Sequence, residues 1–339
     1  MRVGLIGAGS ISETHARAAH AIPGVEIAAV YGGNRERAER LAAACGAAAC
    51  SDLPAFLEQP MDLVIIGSPS GLHAEQGIAA AARGLHVLVE KPIDIATARA
   101  DALIAAARSA GVKLGVLFQD RGQPSFARLR DALARGRFGR PLLASARVKW
   151  FRPPEYYRGS KWRGTWTLDG GGALMNQGIH TVDLLRWLLG PVRRLSARTA
   201  TLRHEIEVED TVTAWLEFES GALATLEATT AAYPGYPRRV ELTAEDGTFV
   251  LEHDRVVAAD TRQPCDDLAI AGDADGNASA SSPIVSDGRS HQRLIEDFIG
   301  AIREDRDPLC TGIEGRSSVA IAEAAYESSR SGHIVEVRE

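Results

Sequence analysis

The sequence predicts an α/β protein of two domains: a doubly wound parallel sheet, followed by an α/β domain built on a mainly antiparallel sheet. Three observations carry this. Short apolar runs alternate with helical stretches over the first 120 residues. A glycine turn joins the first run to the first helix. From Leu142 onward, runs rich in β-branched and aromatic residues recur with short glycine connections and no long helix between them, which implies antiparallel pairing. A chain of 339 residues exceeds one ordinary core. The expected domains are 1–120 and 121–339, with the C-terminal helices able to pack back on the first.

Val3-Gly4-Leu5-Ile6 is the first strand. Gly7-Ala8-Gly9-Ser10-Ile11-Ser12 turns into a helix through His15, Ala18 and Ala19. Glycines allow a tight turn and a close approach of backbone to a pyrophosphate, whose charge the helix N-terminus favours. Gly7, Gly9, Ser10 and Ile11 are therefore dinucleotide candidates. The third position of the pattern is Ser12 rather than glycine, a small residue that still packs.

Val25 to Tyr31 is the second strand. An acid just after it would bond the adenosine ribose of NAD. The chain has Gly32-Gly33-Asn34-Arg35 instead, with no acid to repel a 2′-phosphate and with Arg35 or Arg37 to meet one. The cofactor is thus NAD or NADP, with a lean to NADP. Solvated arginines at a helix start are the plain alternative.

Leu63-Val64-Ile65-Ile66 reads as a strand buried on both faces, and Ser68-Pro69-Ser70 follows at its carboxyl end. Ser68 and Pro69 are candidates for the nicotinamide side of the cleft. His73 either joins them or is a satisfied residue at the start of the helix His73 to Arg83. His86-Val87-Leu88-Val89 is the next strand, closed by Glu90-Lys91-Pro92. An alanine-rich helix from Ile95 to Ala110 and a strand from Lys113 to Phe118 complete the sheet.

Lys91 is one of only four lysines among 38 basic residues. It stands at the carboxyl end of a parallel strand, where open α/β sheets bind ligands. Unlike arginine, lysine can shift its pKa and trade a proton. The plain alternative is a surface lysine before a turn proline.

Gly170-Gly171-Gly172 opens the second constellation, and a helical pattern runs from there to Leu189 before Gly190-Pro191. With α-helical spacing, Asn176, His180 and Asp183 share one face. A histidine flanked by an amide and a carboxylate can transfer protons; a core histidine held by Asp183 is the alternative. Just upstream lie Trp150, Tyr156, Tyr157, Arg158, Lys161, Trp162, Arg163 and Trp166. Aromatic faces suit sugar rings and arginines suit hydroxyls or anions, although an interface would also favour such residues.

The net charge of −6 and the lack of a basic stripe argue against nucleic acid, and no apolar run reaches membrane-spanning length. Cys45, Cys50, Cys265 and Cys310 form no zinc spacing and suit reduced thiols of a cytoplasmic protein, so no metal site is expected. No signal segment is expected, since the first strand begins at Arg2. Residues 261–290, rich in Asp, Ser, Ala and Gly, read as a mobile loop, with a lid as the lesser alternative.

Taken together, Gly7-Ala8-Gly9, Ser68-Pro69, Glu90-Lys91-Pro92 and the Gly170–Asp183 run resemble the Gfo/Idh/MocA family of NAD(P)-dependent oxidoreductases. The resemblance covers essentially the whole chain, including Gly136–Pro141 and Phe298 to Val335. It implies a Rossmann domain, then an α/β domain whose large open-faced sheet serves subunit association, and hence a homodimer or homotetramer. The family's lysine of the Glu-Lys-Pro motif falls on Lys91, and its catalytic histidine falls on His180. Its usual acid falls on Asn176, a departure, since an amide can orient a hydroxyl but cannot take a proton at neutral pH. Gln119, Trp162 and Arg163 match positions near the nicotinamide in relatives, Glu90 of the same motif is a further cofactor-binding candidate, and the Lys91–Pro92 bond is expected to be cis.

The resulting expectation is an enzyme that moves a hydride between NAD(P) and a carbinol or carbonyl carbon of a sugar, sugar acid or cyclitol. One rival is an NAD-dependent, glycosidase-like elimination, marked by release of aglycone without net NADH. Another is a non-enzymatic sensor of dinucleotide or sugar, against which the intact Lys91 and His180 weigh.

Overall fold

The structure is a computed structural model that describes residues 1–265, 268 and 288–339. The described residues form two compact units: Met1–Gly122 with Val285–Arg316, and Gln123–Ile284 with Ser317–Glu339. Most of the 261–290 segment, read above as a loop or lid, lies outside the described residues.

In the first unit, six strands form one parallel sheet: β1 (Arg2–Ile6), β2 (Glu26–Tyr31), β3 (Ala48–Cys50), β4 (Leu63–Ile66), β5 (His86–Glu90) and β6 (Leu114–Leu117). Their order is β3-β2-β1-β4-β5-β6, with every pairing parallel. The order reverses between β1 and β4, where Val3 faces Leu63 and Ile6 faces Ile66. That reversal opens a crevice at the carboxyl ends of the strands.

The apolar runs predict this sheet because it is covered on both faces: all four residues of Leu63–Ile66 are buried. Val3, Leu5, Leu63, Ile65 and Leu88 join Leu294, Ile295, Phe298 and Ile299 of the helix Arg289–Glu304 in one core. Each such side chain contributes about 1.5–3 kcal/mol on burial. The helix Thr97–Ala110 buries Ala100, Leu103 and Ala107, a helical period, and stops at Gly111 in the left-handed conformation. It begins two residues later than the sequence suggests. The buried carboxylate of Asp94 accepts the backbone N–H groups of Ala74 and Ile95 and pairs with Arg99, which holds Ile95 outside the helix.

The second unit carries eight strands: β7 (Pro141–Lys149), β8 (Val192–Ala200), β9 (Thr211–Phe218), β10 (Leu223–Thr229), β11 (Arg239–Ala244), β12 (Gly247–Glu252), β13 (Arg255–Thr261) and β14 (Val335–Glu336). Their order is β13-β12-β11-β7-β10-β9-β8-β14, antiparallel throughout except for β7 beside β10. Alternation is of period two. Ala144, Ala146 and Val148 are buried, whereas Leu143 and Arg147 are exposed. One face is therefore packed and the other open, the mainly antiparallel open-faced sheet that was expected.

Among the described residues, no helix is long and apolar enough to cross a membrane.

Candidate functional site

The carboxyl ends of β1, β2, β4, β5 and β6, with the turns and helix starts that follow them, hold fourteen of the predicted positions: Gly7, Gly9, Ser10, Ile11, Gly32, Gly33, Asn34, Arg35, Ser68, Pro69, His73, Glu90, Lys91 and Gln119. Gly7 has φ +113°, and a Cβ there would lie 2.6 Å from the Gly67 carbonyl oxygen, so only glycine fits. Its N–H donates to Tyr31 O at 2.7 Å, tying the first turn to the end of β2. A Cβ at Gly9 would meet nothing within 4 Å. Gly9 also precedes the helix Ser10–His20, and its first turn has no side-chain cap. Uncapped first-turn N–H groups beside open space suit a pyrophosphate. The Ser12 hydroxyl, where the glycine pattern departs, is buried without a hydrogen-bond partner beneath Gly7 and Gly67.

After β2, Gly32 is crowded, since a Cβ would come 3.0 Å from Ala8 Cβ, whereas Gly33 faces open space. Asn34 caps the next helix by accepting the Arg37 N–H at 2.9 Å. Arg35 is exposed and donates to Glu39 at 2.7 Å, one helical turn on. The residues present fit a dinucleotide, and they include no acid at the adenosine-ribose position.

The Lys91 loop is held on both sides. Glu90 Oε1 lies 2.9 Å from His15 Nε2 and 3.8 Å from His291 Nε2, all three side chains being buried. Glu90 Oε2 accepts the backbone N–H of Lys91 at 3.1 Å. Burial alone would raise the Glu90 pKa, but the hydrogen bond and charge of His15, with His291 and Lys91 adding, hold it at about 2. The Lys91–Pro92 bond is cis, as the resemblance implies.

His73 is enclosed rather than open to a cleft. Its Nδ1 lies 2.8 Å from Pro92 O and its Nε2 lies 2.9 Å from Ser68 O, bridging the loops after β4 and β5. Burial lowers its pKa and outweighs the two carbonyls and the Asp94 and Glu90 charges. A neutral ring carries one N–H, so one carbonyl at a time takes it. The Ser68 hydroxyl donates to Gln76 Oε1 at 2.6 Å.

In the second unit, the triple glycine allows two close approaches. A Cβ at Gly172 would overlap the Glu209 carbonyl, and one at Gly171 would overlap the Tyr326 hydroxyl. The Glu209 carboxylate accepts N–H groups from Gly172 and Leu174 and the Tyr326 O–H. The chain then makes a π-helical turn, Ala173–Gly178, before the α-helix Ile179–Leu189. The sequence spacing assumes a continuous α-helix, so the placement of Asn176 relative to His180 is altered, while His180 and Asp183 keep their α-helical spacing. The N–H groups of Gly172, Ala173 and Leu174, at the start of this turn, are all taken by Glu209.

Asn176 Nδ2 donates to Asp169 Oδ1, and Asp169 Oδ2 accepts the Gly164 N–H at 2.8 Å. Asn176 Oδ1 accepts from Gln177, whose Oε1 accepts from Arg152 at 2.9 Å. His180 is buried near the start of the α-helix. Asp183, fully enclosed, accepts the Ser318 hydroxyl at 3.2 Å.

The aromatic stretch only partly gathers. The Arg163 guanidinium stands 4.3 Å from the Tyr156 ring centre and 5.2 Å from that of Trp162. Arg152 stands 5.1 Å from Trp150 and 5.5 Å from Tyr156, and burial lowers its pKa. Trp166 instead meets Tyr326 edge-on, Arg158 pairs with Glu205, and Tyr157 donates to Thr230.

Sequence reasoning missed Asp169, Arg152, Glu209, His15 and His291 as partners in these networks. Asp169 alone left a signal, as an acid directly before the triple glycine. The others lie far along the chain from the groups they hold.

Comparison with known proteins agrees with this geometry. Residues 1–118 match the pattern of an oxidoreductase family with an NAD-binding Rossmann fold, and residues 126–250 match the GFO/IDH/MocA C-terminal domain. The chain is 28% identical to the 1,5-anhydro-D-fructose reductase of Ensifer adhaerens, over 99% of this chain and 98% of that protein. It is 27% identical to the inositol 2-dehydrogenase of Rhizobium meliloti, over 97% and 96%. Among solved structures, the WlbA dehydrogenase from Bordetella pertussis, in complex with NADH and UDP-GlcNAcA, superposes with a TM-score of 0.92 at 34% identity, covering 100% of this chain and 98% of that one. A levoglucosan dehydrogenase, in complex with NADH and levoglucosan, gives 0.86 at 25% identity and full coverage of both chains.

Proposed function

The chain belongs to the Gfo/Idh/MocA family of NAD-binding oxidoreductases, and from that premise we propose that it moves a hydride between NAD(P) and a carbinol or carbonyl carbon of a sugar, sugar acid or cyclitol. The observation that carries this reading is Lys91 at the carboxyl end of β5, beside the crevice of a six-stranded dinucleotide-binding sheet. The sugar-like substrates named for its relatives support it.

The bound nicotinamide supplies the hydride chemistry. Gly7, Gly9, Ser10 and Ile11 would hold the cofactor's pyrophosphate, Gly32 to Arg35 its adenosine, and Ser68, Pro69 and Gln119 its nicotinamide side. Lys91 takes the hydroxyl proton during oxidation and returns it during reduction. As ammonium it also stabilises developing negative charge on the oxygen. His180 is a second hydrogen-bonding group for substrate, Asn176 orients a hydroxyl, and Asp183 secures the His180 helix. Trp162 and Arg163 complete the set, an aromatic wall with a guanidinium against it. The lack of an acid at Gly32 and Gly33 supports a lean to NADP.

We also propose a cytoplasmic homo-oligomer. Its support is a cysteine spacing that matches no zinc or disulfide framework, and an open sheet face on which Leu143 and Leu223 stay 53% and 50% exposed.

A panel of polyols, aldoses and uronates offered with NAD and with NADP, followed at the reduced-nicotinamide absorbance, tests the function. Turnover of a carbohydrate supports it. Turnover of non-carbohydrate alcohols alone would remove the sugar reading and leave the hydride reading standing.

A further inference from the structure

Lys91 lies between two residues that are each gripped by buried histidines. On its N-terminal side, His15 from the helix after β1 and His291 from the helix Arg289–Glu304 converge on the Glu90 carboxylate, at 2.9 and 3.8 Å. His15 directs its polar contact to Glu90, since its Nδ1 is buried with no hydrogen-bond partner. The other oxygen of that carboxylate accepts the Lys91 backbone N–H at 3.1 Å. On its C-terminal side, His73 lies 2.8 Å from Pro92 O and 2.9 Å from Ser68 O. All three rings are at most 2% exposed, so water cannot replace these contacts.

We propose that His15, His291 and His73 are positioning residues for Lys91, clamping residues 90 and 92 so that the intervening lysine keeps one placement. The proposal rests on the reading of Lys91 as the proton carrier. Three points support a clamp over ordinary packing. The histidines come from three separate segments of the first unit. One ring nitrogen of His15 and one of His291 face Glu90, and both ring nitrogens of His73 face carbonyls of Pro92 and the neighbouring Ser68 loop. A buried ionised carboxylate is an expensive way to fill space unless its geometry is used. Catalysis is sensitive to such placement: a displacement of about 1 Å from remote changes can lower turnover roughly a hundredfold.

The whole chain serves for the test. In protein carrying isotope-labelled lysine, the four lysines give four sets of side-chain resonances, and Lys91→Arg assigns one of them. His15→Gln, His291→Gln and His73→Gln are made singly, with His15→Ala as a harsher partner to the first. In each variant that folds, the Lys91 resonance moves or broadens while those of Lys149 and Lys161 stay in place. NADH affinity stays within about threefold, and kcat on the panel compound the wild type turns over fastest falls roughly 10- to 100-fold. His15→Gln, which keeps an N–H at similar reach, retains more activity than His15→Ala. An unmoved Lys91 resonance with kcat within about twofold of wild type, even with a lowered Tm, would overturn the clamp. So would stoichiometric metal in the purified protein with activity lost to chelators, because the His15–Glu90–His291 group would then be a metal site. A Lys91→Ala variant with full turnover would instead sink the proton-carrier reading, and the resonance measurement separates that failure from failure of the clamp.

Discussion

Asn176 gives its amide N–H to Asp169, across the triple glycine that separates them in the chain. Asn176, the position at which the resemblance implies an acid, therefore still has a carboxylate against it, supplied from seven residues upstream. Asp169 is itself buried, at 1% exposure, and is held by the Gly164 N–H.

Asn176→Asp would set two carboxylates against each other. Like charges this close cannot both ionise, so the pair titrates as a unit with one pKa raised. The variant is expected to stay active, with the pH–rate profile shifted or gaining a limb near neutral pH. A profile that overlays the wild type between pH 5 and 9 would show that this pair lies outside the chemistry.

Lys91→Ala is expected to lower turnover by roughly 10²- to 10⁴-fold, the range for loss of a positioned acid–base group. Dinucleotide affinity should change by no more than a few-fold, since the glycine turn and the adenosine loop are untouched. Stopped-flow turnover beside NADH and NADPH fluorescence titrations separates the two effects. Near-wild-type turnover would remove the central claim.

Cofactor choice is tested at Gly33 rather than Gly32. A side chain at Gly32 would press on Ala8, while Gly33 has open space. Gly33→Asp should weaken NADPH binding more than NADH binding, through repulsion of the 2′-phosphate. If wild-type protein binds NADH far more tightly than NADPH, the lean to NADP is wrong.

Glu209 should make stability depend on pH. Burial pushes its pKa up to about 7, above the ordinary 4.5, despite the Leu174 and Gly172 N–H groups and the Tyr326 hydroxyl that oppose it. The folded state thus holds a proton that the unfolded chain releases earlier. Stability from this group is fully present below about pH 4.5 and is lost as pH rises through about 7, by up to about 3 kcal/mol. Denaturant midpoints measured from pH 5 to 8 should fall, and Glu209→Gln should flatten the slope. A variant that keeps the wild-type slope would assign the dependence to other groups.

Leu143 and Leu223 are register partners on the open face of β7 and β10. Replacing both with aspartate should convert the assembled protein to monomer by light scattering, since charge would be buried in the interface. A wild type that is already monomeric would rule out the proposed assembly.

The sequence by itself determined five of the six strands in the first 120 residues, because buried parallel strands must be continuous apolar runs; the short, half-exposed strand Ala48–Cys50 left no such run. Gly7, Ser68 and Lys91 were legible as strand-end positions because each lies within two residues of the end of such a run, where a local pattern fixes the place. Runs rich in β-branched and aromatic residues, joined by short glycine connections, likewise exposed the antiparallel character of the second unit. Only the tertiary structure decided what holds these positions. His15 and His291 lie 75 and 201 residues from Glu90, and no local pattern encodes a carboxylate shared between them. His73 was open between a cleft residue and a satisfied ring until the Pro92 and Ser68 carbonyls closed around it. The π-turn at Ala173–Gly178 is likewise absent from the sequence pattern, and the Glu209 carboxylate that caps its first N–H groups, itself bonded by the Tyr326 hydroxyl, comes from distant segments.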